Sequence, residues 1–365
     1  MQSLRLMLLL LLTFGGAVQA ADYRVETLTQ ELVYPWSLAF LPDGGMLVTE
    51  RGGQLRRISA EGKLDPEPVK GVPPVLVNSQ AGLFEIALDP EFASNQQLYL
   101  SYACGTLKAN HTCLSRATLT ADGLQDQQEI FRAQPAKAGT AHYGGRMAFL
   151  ADQTLLLTIG EGFDYREQAQ NLASHLGKIV RLQRDGSAPA DNPFIADAAA
   201  KPEIYSFGHR NPQGIVYDVA NQRVLSHEHG PRGGDELNLI QPGNNYGWPK
   251  VTYGMDYSGA VISPHQQLPG LTDPLTYWVP SNAPAGMALY AGEMFPQWQG
   301  SVLIAALAGR HVRRVTLAGE QVVAQEDLFG ELGQRLRDVR VGPDGAIYLL
   351  TDSPQGQLLK VVAAD

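Results

Sequence analysis

The sequence is poor in cysteine, tryptophan and positive charge. It has two cysteines and four tryptophans, and its 37 acidic residues outnumber its 28 lysines and arginines, for a net charge of −9. An acidic surface of this kind argues against a general nucleic-acid-binding protein. Helical periodicity is weak along the whole chain, so the sequence does not predict a helical fold.

Long apolar runs are also missing, except for one at the N-terminus. Residues 6–14 are apolar, follow Arg5 and precede the small-residue sequence Val18-Gln19-Ala20. This order is typical of a secretory signal peptide, and the run is shorter than the roughly 20 residues that a spanning helix needs. We therefore predict a signal peptide over residues 1–20 and a soluble, exported protein, periplasmic or secreted, with no membrane span and a single domain over residues 21–365.

The two cysteines, Cys104 and Cys113, flank a short segment with the composition of a loop. In an oxidising compartment such a pair favours a local disulfide. Two free thiols are the alternative.

The chain is rich in turn-forming residues, with 38 glycines and 23 prolines, which suits many short strands. One pattern occurs six times: an apolar strand, a turn such as Pro42-Asp43-Gly44 or Pro343-Asp344-Gly345, and a second apolar strand. Six copies predict an all-β, six-bladed β-propeller, whereas a large β-sandwich does not explain them. The stretch 230–280, rich in glycine, proline and tyrosine, is interpreted as an insertion between the fourth and fifth copies.

Polar residues precede the first strand of most copies. In a propeller that strand lines the central channel, so we expect these residues to gather around one mouth of it. They are Gln80, His142, Arg146, Arg210, Asn211, Gln213, Arg335 and Arg337. The planar guanidinium group of arginine matches a carboxylate in geometry and charge, so these residues predict a small anionic ligand. The alternative for any single residue is capping a strand or pairing with an acid such as Asp338.

His142 is the best candidate for a general base, since an unperturbed imidazole accepts a proton near neutral pH. The alternative is a structural histidine.

A second dense stretch runs from His227 to Glu236. A zinc site would need more nitrogen or sulfur ligands than the stretch offers. The oxygen ligands of Asp235, Glu236 and Asp256, with nearby backbone carbonyls, favour calcium. A surface acidic turn is the alternative. Aromatic residues between Tyr246 and Tyr257 could bracket a planar cofactor or a sugar, although packing within a loop is their commoner role.

Seven sequence segments resemble, in the same order along the chain, those of the soluble aldose sugar dehydrogenases that depend on pyrroloquinoline quinone (PQQ), within the glucose/sorbosone dehydrogenase family. They are residues 35–40, 80–83, 142–146, 208–214, 228–236, 243–249 and 335–339. The resemblance covers essentially the whole mature chain.

The resemblance implies oxidation of an aldose at C1 to a lactone, with PQQ and Ca²⁺ as cofactors. His142 would remove the hydroxyl proton while hydride passes from C1 to the quinone, and Arg210 would stabilise the charge on the quinone oxygen. It implies the following roles: cofactor contacts at Gln80, Arg210, Asn211, Gln213, Tyr257, Arg335 and Arg337; calcium ligands in the carbonyls of Gly230 and Pro231; further metal ligands at Glu236, Tyr246 and Asp256.

The sequence departs from the family at one cofactor position, where Ala308 stands in place of a lysine that family members often have. Arg310 is a possible replacement. The alternatives are a calcium-dependent propeller lactonase or hydrolase and a non-catalytic sugar-binding propeller. An external electron acceptor and a monomer or homodimer are expected.

Overall fold

Short apolar segments separated by glycine- and proline-rich turns form antiparallel strands throughout the computed structural model, which describes residues 22–364. The predicted signal peptide, residues 1–20, lies outside the described residues. Among residues 22–364, no helix is long and apolar enough to cross a membrane.

The strands form six sheets, and five of them have four strands. The chain begins with β1 (Tyr23–Leu32) and continues with the first sheet, which has three strands: β2 (Pro35–Phe40), β3 (Met46–Glu50) and β4 (Gln54–Ile58). The second and third sheets are β5 (Leu83–Leu88), β6 (Gln97–Thr106), β7 (Ala109–Thr120) and β8 (Gly123–Arg132), then β9 (Met147–Phe149), β10 (Leu155–Ile159), β11 (Lys178–Leu182) and β12 (Ile204–Phe207).

The remaining sheets follow the same order along the chain. They are β13 (Pro212–Asp218), β14 (Arg223–Glu228), β15 (Asp235–Ile240) and β16 (Thr276–Trp278), then β17 (Pro284–Leu289), β18 (Val302–Ala306), β19 (Val312–Ala318) and β20 (Gln321–Leu328), and last β21 (Leu336–Val341), β22 (Ile347–Thr351) and β23 (Gly356–Ala363). Helical structure is limited to α1 (Phe92–Asn95) and the 3₁₀ turns Arg166–Gln170, Pro296–Trp298 and Gly330–Leu332.

The two ends of the described chain close the ring. β1 pairs antiparallel with β23 and becomes the outermost strand of the last sheet, with Tyr23 opposite Ala363. The first strands of consecutive sheets contact one another in order, and β21 contacts β2. The fold is therefore the six-bladed β-propeller that the sixfold pattern predicts.

The repeated pattern corresponds to the inner two strands of each blade. The second strand is buried at every position in β3, β10, β18 and β22. Such a strand lies between neighbouring blades on both faces, which explains its continuous apolar character in the sequence. The predicted insertion over 230–280 is narrower than expected, because β15 and β16 are ordinary outer strands of the fourth blade. Only residues 241–275 form the insertion between them.

A disulfide joins Cys104 and Cys113 across the hairpin of β6 and β7, as predicted. The alternative of two free thiols is therefore wrong. The same hairpin holds the segment before β9, since Asn110 exchanges two backbone hydrogen bonds with Lys137. The side chain of Asn110 also donates to the Gly139 carbonyl at 2.9 Å and accepts from the Tyr143 hydroxyl at 2.7 Å.

A network of buried charges lies where the six inner strands meet. Arg146 Nη1 lies 3.0 Å from Asp338 Oδ1, and Arg340 Nε lies 2.9 Å from Asp338 Oδ2. Glu85 accepts a hydrogen bond from Arg340 and, at 2.6 Å, from the Met147 amide. Two arginines and two carboxylates thus balance in charge and connect separate blades.

The remaining blades join the same network through backbone groups. Arg146 donates to the Gln213 carbonyl at 3.0 Å and to the Arg337 carbonyl at 3.1 Å. The Leu38 amide donates to Asp338 at 3.2 Å. In the fifth blade, a Cβ on Gly286 would overlap the Asp338 carboxylate, so glycine is needed there for this close approach.

We expect Asp338→Asn to destabilise the propeller by about 3–5 kcal/mol, because it leaves buried arginine charge without its carboxylate. Denaturant unfolding measured at neutral pH checks the value. The matched control is Glu129→Gln, which removes the acid of the exposed pair with Arg132 and should cost less than about 1 kcal/mol. A cost below about 1 kcal/mol for Asp338→Asn would contradict the role given to the network.

Candidate functional site

One mouth of the channel collects residues from both inner strands of each blade. Because these strands are antiparallel, the residue that precedes the first strand and the residue that follows the second lie at the same end. Arg335 and Asp352 show this arrangement in the last blade, where the Asp352 amide donates to the Arg335 carbonyl at 2.8 Å.

The mouth contains a cavity of about 270 Å³. Five predicted cofactor residues line it: Gln80, Asn211, Gln213, Arg335 and Arg337. Its walls also include Trp36, Arg51, Phe84, Tyr143, Gly144, His229, Ala283, Leu307 and Asp352. The lining thus combines aromatic faces, amide groups, three arginines and one carboxylate. A larger cavity of about 570 Å³ lies beside the loops around Arg57 and Lys63 and gathers none of the predicted site residues.

Two of the cavity arginines share a single acid. Arg335 Nη2 lies 3.0 Å from Asp352 Oδ2, and Arg337 Nη2 lies 3.2 Å from Asp352 Oδ1. Burial favours the neutral form of Asp352, but the charges of Arg337 and Arg335 outweigh it and lower the pKa of the carboxyl. The pair of arginines therefore keeps one net positive charge beside an ionised Asp352.

Arg146 does not join this mouth. Its side chain is 2 % exposed and pairs with Asp338 on the channel axis, with its guanidinium carbon 3.9 Å from the Trp36 ring centroid. The alternative of pairing with Asp338 is therefore the correct one for this residue. A side chain at the start of β9 can point along the axis as easily as out of the channel, and spacing alone does not distinguish the two.

His142 is buried in the wall beside the cavity, at 4 % exposure. Its φ of 52° lies in the left-handed region, which is uncommon for a residue with a side chain and is concentrated at functional sites. The Gln80 side chain accepts a hydrogen bond from the His142 amide at 2.9 Å. A Cβ on Gly160 would overlap the His142 carbonyl, so this backbone conformation depends on a glycine directly after β10 of the same blade.

The imidazole is paired with a buried acid. His142 Nδ1 lies 3.1 Å from Glu161 Oε1. Burial lowers the pKa of His142 below its ordinary value, and the charges of Arg210 and Lys137 act in the same direction, whereas Glu161 opposes them. The ring of Phe163 meets the imidazole edge-on at 5.1 Å. The site therefore favours a neutral imidazole with a carboxylate on its Nδ1 side.

A buried lysine lies behind this pair. Lys137 is 2 % exposed, and its Nζ lies 3.7 Å from the Tyr143 ring centroid and 3.3 Å from the Gly139 carbonyl. Burial lowers the pKa of Lys137 to about 8, although the charges of Glu161 and Asp164 oppose the shift. Glu161 Oε2 has no hydrogen-bond partner among the described residues. Lys137 is a positive charge close enough to interact with this carboxylate.

Arg210, which comes just before β13, lies close enough to His142 for its charge to act on the imidazole. Its Nη1 donates to the carbonyls of Gly230 at 2.7 Å and His229 at 3.2 Å. Its guanidinium carbon lies 5.4 Å from the Trp248 ring centroid and 5.9 Å from that of Tyr257. The Arg210 amide donates to Glu228 at 2.5 Å, which fixes the turn that carries it. The predicted calcium ligand Gly230 therefore lies directly beside this cation.

Asp235 fixes the loop that presents Gly230 and Pro231. Its carboxylate accepts hydrogen bonds from the Gly230 amide at 2.9 Å and from the Ser281 hydroxyl at 2.7 Å. The amides of Asn282 and Ala283 donate to it at 2.7 and 3.1 Å. Asp235 is 0 % exposed, so it is neither a surface turn nor a free metal ligand.

Glu236 lies in a buried group of oxygen atoms with Glu228 and Asn238. The Asn238 amide lies 3.5 Å from a carboxylate oxygen of each glutamate, and Asn238 Oδ1 has no partner among the described residues. Burial, reinforced by the charge of Glu228, raises the pKa of Glu236 well above its usual range. One buried and one half-buried carboxylate, those of Glu228 and Glu236, beside an unpartnered amide oxygen are a suitable donor set for a hard cation.

The structure places the other predicted metal residues differently. The Tyr246 hydroxyl donates to the Leu239 carbonyl at 2.6 Å, and its ring stacks on His209 at 4.7 Å, so only its backbone is available as a ligand. Asp256 is paired with Arg166 at 3.1 Å. Hydrogen bonds from Ser258 and Arg166 lower the pKa of Asp256 to about 2. Its carboxylate is thus committed to a surface ion pair rather than directed toward Glu236.

Tyr257 lies on the rim rather than in the cavity. It is 58 % exposed and stacks on Phe163 at 6.2 Å between ring centroids. Arg310 is also outside the cavity, since its Nη1 donates to the Gly333 carbonyl at 3.4 Å. The Ala308 amide donates to the Asn282 carbonyl at 3.0 Å. Within the described residues, therefore, Arg310 does not take the place of the lysine expected at Ala308.

Sequence reasoning missed Lys137, which lies before β9, and three charged residues that follow the second strand of a blade. Arg51 follows β3, Glu161 follows β10 with one residue between, and Asp352 follows β22. All three lie after the second strand of a blade, whereas only residues before the first strand were considered. The antiparallel pairing within each repeated hairpin was the signal that could have found them.

The fold and site define a class: a propeller with an arginine-lined cavity and a buried histidine–carboxylate pair at one mouth. The glucose/sorbosone dehydrogenase family model matches residues 32–360. Aldose sugar dehydrogenase YliI of Escherichia coli is 41% identical over 366 residues, with 99% of this chain and 98% of that protein covered. This chain belongs to the glucose/sorbosone dehydrogenase family.

Solved structures agree with this assignment. The apo form of the soluble aldose sugar dehydrogenase of E. coli has a TM-score of 0.90 at 40% identity, covering 94% of this chain and all of that one. The PQQ-bound aldose sugar dehydrogenase of Streptomyces coelicolor has a TM-score of 0.75 at 31% identity, covering 93% and 99%.

We expect Asp235→Asn to destabilise the protein by about 2–4 kcal/mol, because several buried donors lose a charged acceptor. Chemical denaturation of the metal-free protein checks this, so that loss of a bound ion does not enter the comparison. Asp122→Asn, at an exposed turn, is the control and should change stability by less than about 0.5 kcal/mol. Equal stability of the two variants would mean that Asp235 does not fix the loop.

Proposed function

We propose that this protein oxidises aldose sugars at C1 to lactones, with PQQ as the hydride acceptor and Ca²⁺ beside it. The observation that carries the proposal is the arginine-lined cavity next to the His142–Glu161 pair. The similar proteins are aldose sugar dehydrogenases, one of them with PQQ bound, which supports this combination.

The cavity residues fit the quinone. PQQ is planar and carries three carboxylates, and the cavity offers the cations Arg51, Arg335 and Arg337 against the single acid Asp352. Planar guanidinium groups match carboxylates in geometry as well as charge. The faces of Trp36 and Tyr143 provide apolar walls. Gln80, Asn211 and Gln213 would supply amide contacts, and Tyr257 a contact from the rim.

When bound, the quinone supplies the two-electron acceptor that no amino-acid side chain provides. His142 then acts as the general base. With Nδ1–H donated to Glu161, its Nε2 is free to take the proton of the C1 hydroxyl as the hydride leaves C1. Glu161 stabilises the imidazolium that forms. Arg210 provides a fixed positive charge on the same side, where negative charge develops on oxygen.

Calcium fits two groups of oxygen atoms. The carbonyls of Gly230 and Pro231 would hold one ion beside the quinone, where a divalent cation polarises a carbonyl group. Glu236 and the Tyr246 backbone, with Glu228 and Asn238 beside Glu236, would hold a second, structural ion. Asp256 is a weaker candidate, since Arg166 already neutralises it.

We further propose that the signal peptide exports the protein and that an external acceptor reoxidises the bound quinone. The protein would act as a soluble monomer or homodimer.

The proposal predicts that metal-stripped, quinone-free protein regains dye-reducing activity with aldoses only when PQQ and Ca²⁺ are added together. Dye reduction with neither addition, or with Ca²⁺ alone, would instead favour a quinone-independent dehydrogenase, whereas lactone hydrolysis by the quinone-free, Ca²⁺-loaded protein without dye reduction would favour a hydrolase. A failure of the wild-type protein to bind PQQ in a titration would overturn the proposal.

His142→Ala should lower kcat by about 10²–10⁴-fold, the range typical of losing a general base, while PQQ binding by titration stays close to wild type. The control is His265→Ala, an exposed histidine outside the site, which should leave kcat unchanged. Turnover of His142→Ala within about threefold of wild type would exclude this residue as the base, given the expected range.

Glu161→Gln should lower kcat from about tenfold up to about 10⁴-fold, the loss seen when the acid that orients a catalytic histidine is neutralised. Glu161 raises the pKa of His142 through its hydrogen bond and its charge, so the variant should have a lower His142 pKa. Because the neutral imidazole is the active form, the acidic limb of the kcat/KM profile should move to lower pH. Glu320→Gln, at an exposed acid, is the control. A profile that keeps both its height and its position would show that Glu161 does not act on the base.

A further inference from the structure

We infer that Arg51, at the end of β3, binds a carboxylate of the anionic ligand held in the mouth cavity. This inference rests on the proposed function, since it names a further binding residue for the same cofactor.

Three of the four arginines around the mouth are engaged. Arg335 and Arg337 both pair with Asp352, at 3.0 and 3.2 Å. Arg210 donates to the carbonyls of His229 and Gly230. For these side chains, a ligand must share or displace hydrogen bonds that exist in the absence of ligand.

Arg51 is different, because its guanidinium makes no hydrogen bond or ion pair with any of residues 22–364. Its contact is with an aromatic face, where the guanidinium carbon lies 4.3 Å from the centroid of the Tyr34 ring. A cation–π contact leaves the in-plane N–H donors free. These donors are the ones that pair with a carboxylate in a bidentate manner.

The backbone of Arg51 is held in place from two sides. Its amide donates to the Tyr34 carbonyl at 3.0 Å, and its carbonyl accepts from the Leu83 amide at 3.1 Å. A Cβ on Gly82 would overlap the Arg51 carbonyl and crowd its Cγ, so glycine allows the second blade to approach this closely. The side chain therefore starts from a fixed position between blades one and two, which lowers the entropy cost of binding.

The charges of the cavity point to an anion as the group that Arg51 binds. Arg51 lies close enough to Arg337 that its charge lowers the pKa of that arginine, in the same direction as the larger effect of burial. Asp352 neutralises only one of the three cavity cations. An incoming carboxylate at Arg51 would relieve this repulsion and would displace no existing hydrogen bond.

The test is a PQQ titration of the full-length, metal-loaded protein in excess Ca²⁺. Binding is measured by equilibrium dialysis with absorbance detection of PQQ. Arg51→Gln should weaken Kd by about 10–100-fold, the loss expected for a charge-assisted, bidentate contact. Arg51→Lys keeps the charge but loses the planar fork and should weaken Kd by about 3–10-fold. Raising the salt concentration should weaken wild-type binding more than that of Arg51→Gln.

Arg310→Gln is the matched control, since Arg310 lies outside the cavity and bonds to the Gly333 carbonyl. Its Kd should equal that of wild type. If wild type does not bind PQQ, the proposed function fails and the question of Arg51 falls with it. If wild type binds and Arg51→Gln binds within twofold of it, the inference alone is overturned. Should Arg51→Gln fail to fold, Arg51→Lys carries the same test, and wild-type affinity in that variant overturns the inference.

Discussion

The structure depends on the buried charge network at the propeller axis. Asp338 contacts Arg146 and Arg340, Glu85 contacts Arg340, and backbone groups of the other blades complete their hydrogen bonds. A buried charge is tolerated only when it is paired and hydrogen-bonded. The network therefore constrains the positions of the inner strands relative to one another. In a ring of separate sheets, no single hydrophobic layer spans all the blades and could do the same. Arg146 connects this axis to the mouth, because its guanidinium lies against Trp36, a wall of the cavity.

The hairpin repeat explains how distant residues meet. Every blade begins and ends its inner hairpin at the same mouth, so segments from both ends of each hairpin share one small volume. These segments lie outside the axis network, and function can therefore be placed on a constant frame. The disulfide-linked hairpin of β6 and β7 adds a local constraint. Through Asn110 it holds the backbone of Lys137 and the hydroxyl of Tyr143, which lie on either side of His142 in the sequence.

The sequence was sufficient for the fold because the same apolar hairpin occurs six times, and it located Gln80, His142, Arg210, Asn211, Gln213, Arg335 and Arg337 near one mouth. It could not assign direction to each side chain. Arg146 shares the spacing of the mouth residues but points along the axis, and Asp256 shares the chemistry of a metal ligand but pairs with Arg166. Both outcomes depend on partners distant in sequence. Glu161 and Asp352 were missed because only one end of each hairpin was considered.

The environment of His142 shows how a neutral imidazole is favoured among cations. Arg210 and Lys137 both disfavour a protonated imidazole, and burial does so more strongly. Glu161 works in the opposite direction, raising the pKa of that ring, and lies 3.1 Å from Nδ1. Without an acid beside it, the imidazole would be neutral but its protonated form would be poorly stabilised. Burial and the two cations therefore oppose Glu161, a balance that suits the proposed role of His142 as general base.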